Sequence, residues 1–255
     1  YINRPFDART VYRRAFNTIR LYAKQRRLVR MVSAQTRKQE HNTTMLVNVL
    51  SQIVEFRNGE SGSHVRHIRI LTEKIMAQLL RKTDKYSLSS EEQDNITLAS
   101  VLHDIGKIAI DEKILNKPGR LTPEEFAVLK THTTEGAALL HRLENFDTEP
   151  LLQTACDIAR WHHERWDGRG YPDGLAGDDI PIGAQLVSLA DVYDALTSER
   201  CYKKAFPHEK AVQMILGGKC GTFNPLLLEC LKDIEGSLQA ELKKDYHSDP
   251  AELEV

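Results

Sequence analysis

The stretch WHHERWDGRGYPDG, residues 161–174, is too polar and too often interrupted by glycine and proline to form part of a helical core. It contains two adjacent histidines, His162 and His163, and neutral imidazole is a common ligand for metals of intermediate softness. Its three glycines permit positive φ angles or the close approach of a ligand, and Pro172 stiffens the bend. The stretch therefore predicts a metal site with a fixed loop beside it.

Imidazole and carboxylate side chains also occur in other segments of the chain. His103 and Asp104 end an apolar helical run, and Asp191 lies inside another. His64 and His132 belong to two further segments. Each of these residues taken alone is more often a hydrogen-bonded polar group or a helix cap than a ligand. Donors from several separated segments are nevertheless what builds a multinuclear metal site between helices, and such a site is predicted here.

Three motifs resemble those of the HD-GYP phosphodiesterases, a branch of the HD-domain metal hydrolases. They are HDIGK at 103–107, HHERWDGRGYPDG at 162–174 and ADVYDALTSERCYKK at 190–204. The two letters HD alone would be a weak signal, whereas the full series in this order, with His132 between, is specific. The resemblance covers roughly residues 55–235. It implies an all-α fold, an HD-domain helical bundle preceded by a long N-terminal connector helix.

Four segments are expected along the chain. Residues 1–22 resemble the last strand and helix of a response-regulator receiver domain, with Arg4 where that family usually has lysine; an ordinary N-terminal helix is the alternative. Residues 23–57 predict a helical connector, as one helix or two in tandem, because they lack proline and glycine and carry spaced apolar residues. The HD-GYP domain is expected over 58–240, followed by a polar tail over 241–255.

The resemblance also implies a set of metal ligands. Asp104 would bridge two ions, and Glu60, four residues before His64, would hold a third; a surface Glu-His pair is the alternative for these two. Two or three divalent ions are expected, and the mixed nitrogen and oxygen donors fit Fe or Mn better than a thiolate-rich zinc site. The implied ligands are Glu60, His64, His103, Asp104, His132, His162, His163 and Asp191.

Further residues are expected to contact the substrate. Lys107 follows His103 by one helical turn, where its ammonium would bind a phosphate oxygen or complement the end of a helix. Guanidinium groups bind anions through two hydrogen bonds, which suits Arg200 for the substrate's phosphates and guanine edges. The implied catalytic residues are Asp104 and Lys107, and the implied substrate-binding residues are Lys107, Tyr171, Asp194, Arg200 and Lys203.

The function implied by the resemblance is metal-dependent hydrolysis of cyclic di-GMP to linear pGpG, and in some members to GMP. The chain would be the output domain of a bacterial two-component response regulator. Two alternatives stay open: a cyclic di-GMP receptor or scaffold with little turnover, and a general HD-type nucleotide phosphohydrolase. Because the HD and GYP motifs are retained, the sequence favours the hydrolase.

Composition limits the partners. The chain has 35 basic and 36 acidic residues, so no global charge indicates nucleic-acid binding. Residues 1–41 contain eleven Arg or Lys against two acids, an excess that is more typical of a solvated helix face than of a nucleic-acid or membrane patch. No apolar run approaches the roughly 18 residues of a transmembrane helix. The four cysteines lack CxxC spacing, which fits a reducing cytoplasm.

The expected partners follow from these patterns. Cyclic di-GMP is the expected substrate, and neither nucleic acid nor a membrane is expected to bind. The connector helix would pair with its twin in a homodimer, although its polar centre weakens the case for a continuous coiled coil. A cognate histidine kinase would act on a receiver domain upstream of residue 1.

Overall fold

The computed structural model consists of helices joined by short loops. Within the described residues it contains no strand, only an isolated antiparallel bridge between Asp167 and Ala176. The predicted all-α fold is therefore confirmed. None of the helices in the described ranges combines the length and the apolar character needed to span a bilayer. The structure describes residues 7–58, 63–144, 146–199 and 205–244.

Ten α-helices occur within those ranges, together with four short 3₁₀ turns. The helices are α1 (Ala8–Arg57), α2 (Ser63–Lys82), α3 (Ser90–Ala99), α4 (Glu112–Leu115), α5 (Pro123–Lys130), α6 (His132–His141), α7 (Pro150–Trp161), α8 (Ile182–Thr197), α9 (His208–Leu216) and α10 (Pro225–Lys244). The 3₁₀ turns are Ser100–Leu102, Ile105–Ala109, Phe146–Thr148 and Gly177–Asp179.

Helix α1 is 50 residues long and contains neither proline nor glycine. The chain divides into two compact units, residues 1–46 and 47–255, and α1 contributes to each. In the first unit its apolar side chains, such as Leu21 and Leu28, are exposed. In the second unit Val47 and Val54 are buried on one helix face. The receiver-like strand predicted at the chain start falls on residues 1–6, which lie outside the described residues, and the predicted domain boundaries stay predictions.

The core of the second unit is formed around α2 and α8. Helix α2 buries Ile68, Leu71 and Ile75 completely on one face and packs against α8 and α10. Helix α8 is buried around most of its circumference, and α2, α7 and α9 surround it. Each fully buried Leu or Ile side chain stabilises the fold by roughly 1.5–3 kcal/mol relative to exposure. The carboxylates of α8, Asp191 and Asp194, are therefore positioned by a helix that is packed among apolar side chains.

Helices α3 and α5 begin at capping boxes, which the sequence patterns Ser-x-x-Glu at 89–92 and Thr-x-x-Glu at 122–125 predict. The Ser89 hydroxyl accepts from the Glu92 amide at 3.2 Å, and the Glu92 carboxylate accepts from the Ser89 amide at 2.7 Å. The Thr122–Glu125 pair repeats the arrangement before α5. These caps fix where the helices begin and hence where their last turns place the residues that follow.

The predicted end of one helix is wrong. The sequence predicts that the helix begun at Thr122 carries His132, but the structure ends α5 at Lys130 and begins α6 at His132. The amide of Thr131 bonds the carbonyl of Val128, three residues back, at 3.0 Å, so the last turn tightens and the chain changes direction. His132 therefore occupies the first turn of α6.

Gly106 is the point at which the turn after Asp104 touches α6. A Cβ atom added at Gly106 would overlap the backbone of His132 and Gly136. No side chain fits between the two segments, so the glycine permits the contact that brings Asp104 close to His132.

Gly106→Ala is expected to lower the free energy of unfolding by roughly 1–3 kcal/mol or more, because backbone atoms of two packed segments must move apart. Gly236→Ala is the matched control, since a Cβ there meets no described atom within 4 Å and the helix interior gains roughly 1 kcal/mol. Urea unfolding followed by circular dichroism measures both. Equal stability of Gly106→Ala and the native chain would contradict the close contact.

Candidate metal centre

Asp104 lies between imidazole groups that come from different segments. It follows the 3₁₀ turn Ser100–Leu102 with φ −99° and ψ 11°, a sparsely populated backbone conformation. Its Oδ2 lies 3.3 Å from His103 Nε2, and its Oδ1 lies 3.3 Å from His132 Nε2. His162 Nε2 is 3.9 Å from the same Oδ1. The carboxylate thus faces imidazoles through both of its oxygens, the arrangement of a bridging ligand.

The predicted ligands form two adjacent groups. Within each group one ligand atom from every residue lies within 4.8 Å of the others. Helix α2, the segments that follow α3 and α7, and the first turn of α6 supply these residues. Because Asp104 contacts members of both groups, the two candidate sites share a carboxylate. The groups are His64, His103 and Asp104, and His132, His162 and His163.

The histidines present the same ring nitrogen to the centre. The Nδ1 atom of His103 donates to the Ser100 carbonyl at 2.9 Å, and that of His132 donates to the Leu129 carbonyl at 2.8 Å. His162 Nδ1 lies 3.0 Å from the Ile158 carbonyl. A carbonyl oxygen only accepts, so the geometry assigns the proton to Nδ1 and leaves a lone pair on Nε2. This outward hydrogen bond is what orients metal-ligating histidines.

The inward-facing atoms fit a bound cation. His132 Nε2 and His162 Nε2 are 3.4 Å apart, and with both protons on Nδ1 two lone pairs face each other at that distance. Within the described ranges, the buried atoms His103 Nε2 and Asp104 Oδ1 have no hydrogen-bond partner. Buried acceptors that face acceptors are costly without positive charge between them. The donor set therefore suits divalent metal ions.

Burial keeps the second group of imidazoles uncharged. Burial, together with the nearby His132, lowers the pKa of His163 to about 3. Burial and His163 hold the pKa of His162 well below its usual value, and burial also lowers the pKa of His132. All three imidazoles are thus neutral at pH 7, with their lone pairs available for a metal.

In the first group of ligands, the Asp104 carboxylate stabilises positive charge on its neighbours. Burial raises the pKa of Asp104, but Lys107 and His103 outweigh burial and hold that pKa well below its usual value. Burial lowers the pKa of His103, yet the adjacent Asp104 carboxylate prevails and raises it overall. The Lys107 ammonium contacts Asp104 Oδ2 at 2.6 Å. Lys107 thus lies beside the candidate centre, and its predicted contact with a phosphate stays a prediction.

The structure places Asp194 behind His64 rather than at a substrate surface. Its side chain is 1% exposed, and its two oxygens accept from His64 Nδ1 and His67 Nδ1, each at 2.6 Å. The Ser198 hydroxyl donates a further hydrogen bond at 2.9 Å. Burial raises the pKa of Asp194, but the hydrogen bonds from the two histidines outweigh it and hold that pKa below its usual value. Asp194 therefore orients His64, a role the sequence did not predict.

Asp191 lies on the same face of α8, one turn before Asp194. Its Oδ1 is 3.9 Å from His64 Nε2, and its side chain is partly exposed. His67, one turn after His64, was missed because three-residue spacing on a helix predicts a shared face but not a shared partner. Three predicted site residues, Glu60, Arg200 and Lys203, lie outside the described residues and stay predictions.

The GYP loop, which runs over residues 164–174 and contains Gly170-Tyr171-Pro172, lies beside His163. The Tyr171 ring stacks on the His163 ring with centroids 4.8 Å apart and an angle of 29° between the planes. Lys130 Nζ lies 5.6 Å from the Tyr171 ring centroid. At Gly170 a Cβ atom would overlap the backbone of Glu164 and the residue after it, so the loop folds closely against its own start. The loop is fixed, as the sequence predicts.

Glu164 holds this loop in place. Its side chain is buried, and its Oε1 accepts from the amides of Asp173 and Gly174 at 2.7 and 2.9 Å. Gly174 has φ +71°, so its amide reaches the carboxylate in a conformation that favours glycine. Glu164 is not among the site residues predicted from the sequence, although its position directly after the histidine pair was a usable signal.

Similarity to known proteins identifies the family of the chain. A family model described as HD domain matches residues 48–220. The chain belongs to the HD domain family. A probable cyclic di-GMP phosphodiesterase of Vibrio cholerae is 43% identical over 188 residues, 72% of this chain and 42% of that protein. A 3'3'-cGAMP-specific phosphodiesterase 2 of Vibrio cholerae is 41% identical over 186 residues, 73% of this chain and 34% of that protein. The resemblance to the HD-GYP phosphodiesterases is confirmed.

A solved HD-domain structure agrees with this fold. The protein Bd1817 from Bdellovibrio bacteriovorus, described as an HDG"Y"P protein, matches with a TM-score of 0.52 and 22% identity over 77% of this chain and 64% of that one. At this identity the match shows the fold alone. The chain spans less than half the length of these two curated relatives.

Replacing Glu164 is expected to loosen the loop. Glu164→Ala removes the acceptor of two backbone amides, so hydrogen exchange at Asp173 and Gly174 should accelerate roughly tenfold or more, as a charged hydrogen bond is worth roughly 1.5–3 kcal/mol. Glu164→Gln keeps one oxygen acceptor and should retain most of the protection. Exchange measured by mass spectrometry checks both variants. Unchanged protection in Glu164→Ala would show that other contacts hold the loop.

Proposed function

We propose that this HD-domain chain is a metal-dependent phosphodiesterase that hydrolyses cyclic di-GMP to linear pGpG, with GMP as a later product. The observation that carries the proposal is the Asp104 carboxylate facing imidazoles on both sides, with the histidine Nε2 atoms directed inward. The names of the relatives support the same reaction class. The role would be that of an output domain in a bacterial response regulator acting in the cytoplasm.

The residues divide between two candidate ions. His64 and His103 would hold one, His132, His162 and His163 would hold the other, and Asp104 would bridge them, with Asp191 beside His64. Mixed nitrogen and oxygen donors favour Fe or Mn. When bound, a pair of such ions supplies a hydroxide nucleophile and neutralises charge on the phosphate. A third ion held by Glu60 belongs to the same proposal.

The chain's own groups then bind and orient the dinucleotide. The Lys107 ammonium, partly exposed and next to Asp104, is placed to bind a phosphate oxygen. The face of Tyr171, fixed on His163, limits access of water and offers a surface for a base. Arg200 and Lys203 are proposed to bind the phosphates and the guanine edges. Asp194 contributes by orienting His64 rather than by touching the substrate.

The activity is tested with protein purified anaerobically and loaded with Mn²⁺ or Fe²⁺. The double variant His103→Ala/Asp104→Ala is expected to lose metal and to slow hydrolysis by roughly a thousandfold or more, because a metal centre contributes several kcal/mol of transition-state stabilisation. Metal analysis and chromatography of the product measure the two effects. His141→Ala, an exposed histidine away from the centre, is the control and should retain both.

Three results would contradict the proposal. They are intact cyclic di-GMP with the metal-loaded native chain, hydrolysis that survives in the double variant, and loss of helical circular dichroism as the sole cause of inactivity. The same assay with 3'3'-cGAMP measures the preference between the two dinucleotides, which the name of one relative makes worth comparing. Faster turnover of 3'3'-cGAMP would move the substrate assignment to the mixed dinucleotide.

Helix α1 is proposed to pair with a second copy of the chain. Apolar residues recur along it at the three- and four-residue spacing of a coiled-coil seam, and all of them are exposed. Gln25, Gln35, Gln39 and Asn42 occupy the intervening seam positions, which lowers stability but favours one register. The apolar seam residues are Leu21, Leu28, Val32, Leu46, Val49, Ile53 and Phe56. A histidine kinase acting on an upstream receiver domain would be the signalling partner.

Light scattering after gel filtration tests the pairing. The native chain is expected to elute at twice its mass of 29.0 kDa, and Leu28→Asp/Val32→Asp should shift it to the monomer, because charges would face each other across the seam. Glu40→Gln, off the seam, should leave the dimer intact. A native chain of monomer mass at tens of micromolar would refute the proposed homodimer.

A further inference from the structure

A carboxylate that the motifs do not include lies beside the first group of ligands. Glu55 is in the last turn of α1, in the second unit, and is 4% exposed. It lines a small cavity of about 10 Å³ together with His103 and Asp104. The other residues of this cavity are Ser51, Val54, Val101 and Ile105, most of them apolar. Burying a carboxylate in such surroundings costs several kcal/mol unless hydrogen bonds or opposite charge offset the cost.

Glu55 reaches the same histidine nitrogen as Asp191. His64 Nε2 lies 4.0 Å from Glu55 Oε1 and 3.9 Å from Asp191 Oδ1. Both separations are too long for a hydrogen bond. Two donor atoms that are each about 2.1 Å from one ion lie about 3 Å apart at right angles and about 4.2 Å apart on opposite sides. The spacing is therefore that of ligand atoms arranged around a cation.

The last turn of α1 is anchored, so Glu55 is held at this position. The Arg57 guanidinium donates to the Ile108 carbonyl at 2.6 Å, and the Asn116 side-chain amide donates to the Arg57 carbonyl at 2.8 Å. Ile108 follows Lys107 in the 3₁₀ turn that begins after Asp104. These bonds tie the helix end to the segment that carries the shared carboxylate, and they fix the distance between Glu55 and Asp104.

We propose that Glu55 is a ligand of the ion held by His64, His103 and Asp104. The proposal rests on the metal-dependent function above and adds one residue to its centre. The resemblance implied Glu60 as the additional carboxylate, whereas Glu55 is the glutamate that the described structure places at His64. Its carboxylate would offset part of the positive charge of the ion and would couple the end of the connector helix to metal binding.

The test measures metal binding instead of turnover. Chelator-treated full-length chain is titrated anaerobically with Mn²⁺ by calorimetry, and bound Mn²⁺ is counted by electron paramagnetic resonance. Glu55→Gln, which keeps the shape and removes the charge, is expected to weaken one Mn²⁺ site at least tenfold and to leave the other unchanged. Ser51→Ala, in the same cavity and on the same helix face, is the matched control and should titrate as the native chain does.

Two further variants make the outcome decisive. Glu55→Asp keeps the charge on a shorter side chain and should bind Mn²⁺ with intermediate affinity, which decides the matter even if Glu55→Gln unfolds. Glu60→Gln tests whether Glu60, instead of Glu55, binds the Mn²⁺ ion. Native affinity in the Glu55 variants, with or without a loss in Glu60→Gln, would overturn the proposal. A native chain that binds no Mn²⁺ would instead refute the metal-dependent function itself.

Discussion

The centre depends on neutral imidazoles being forced together around one carboxylate. His132 and His162 direct lone pairs at each other across 3.4 Å, while both face the same Asp104 oxygen, Oδ1. Such an arrangement is unfavourable for the chain alone and becomes favourable only when cations lie between the donors. The apolar core around α2 and α8 must therefore be rigid enough to hold donors in a geometry that suits a metal better than it suits the free protein.

The orientation of these rings comes from helix ends. The last carbonyls of a helix lack partners within that helix, and a histidine just after it can bond one of them. His103 uses the carbonyl of Ser100, His132 that of Leu129 and His162 that of Ile158. Each ligand is thus oriented by the backbone of the element that delivers it. Because the backbone of every chain offers such carbonyls, few additional side chains are needed to direct Nε2 inward.

Local patterns predicted the elements and the residues that converge. Capping boxes at Ser89 and Thr122 and the apolar spacing of α2 mark helices that the structure contains. The direction of individual side chains was less predictable, since it depends on which helices become neighbours. Asp194 was assigned to a substrate, but α8 is buried and turns it toward α2, where His64 and His67 meet it. The break between α5 and α6 at Thr131 was also not predicted, because no proline or glycine lies there.

Four carboxylates differ in role because their surroundings differ, not their chemistry. Asp104 faces imidazole nitrogens that bear lone pairs, so it shares in binding a cation. Asp194 faces protonated nitrogens and therefore fixes a ring. Glu164 faces backbone amides and fixes a loop. Glu55 lies at ligand spacing from His64 Nε2. Because the proton of the His64 ring lies on Nδ1, which donates to Asp194, the Nε2 atom that Glu55 faces bears a lone pair. By that criterion Glu55 belongs with Asp104 and not with the two positioning residues.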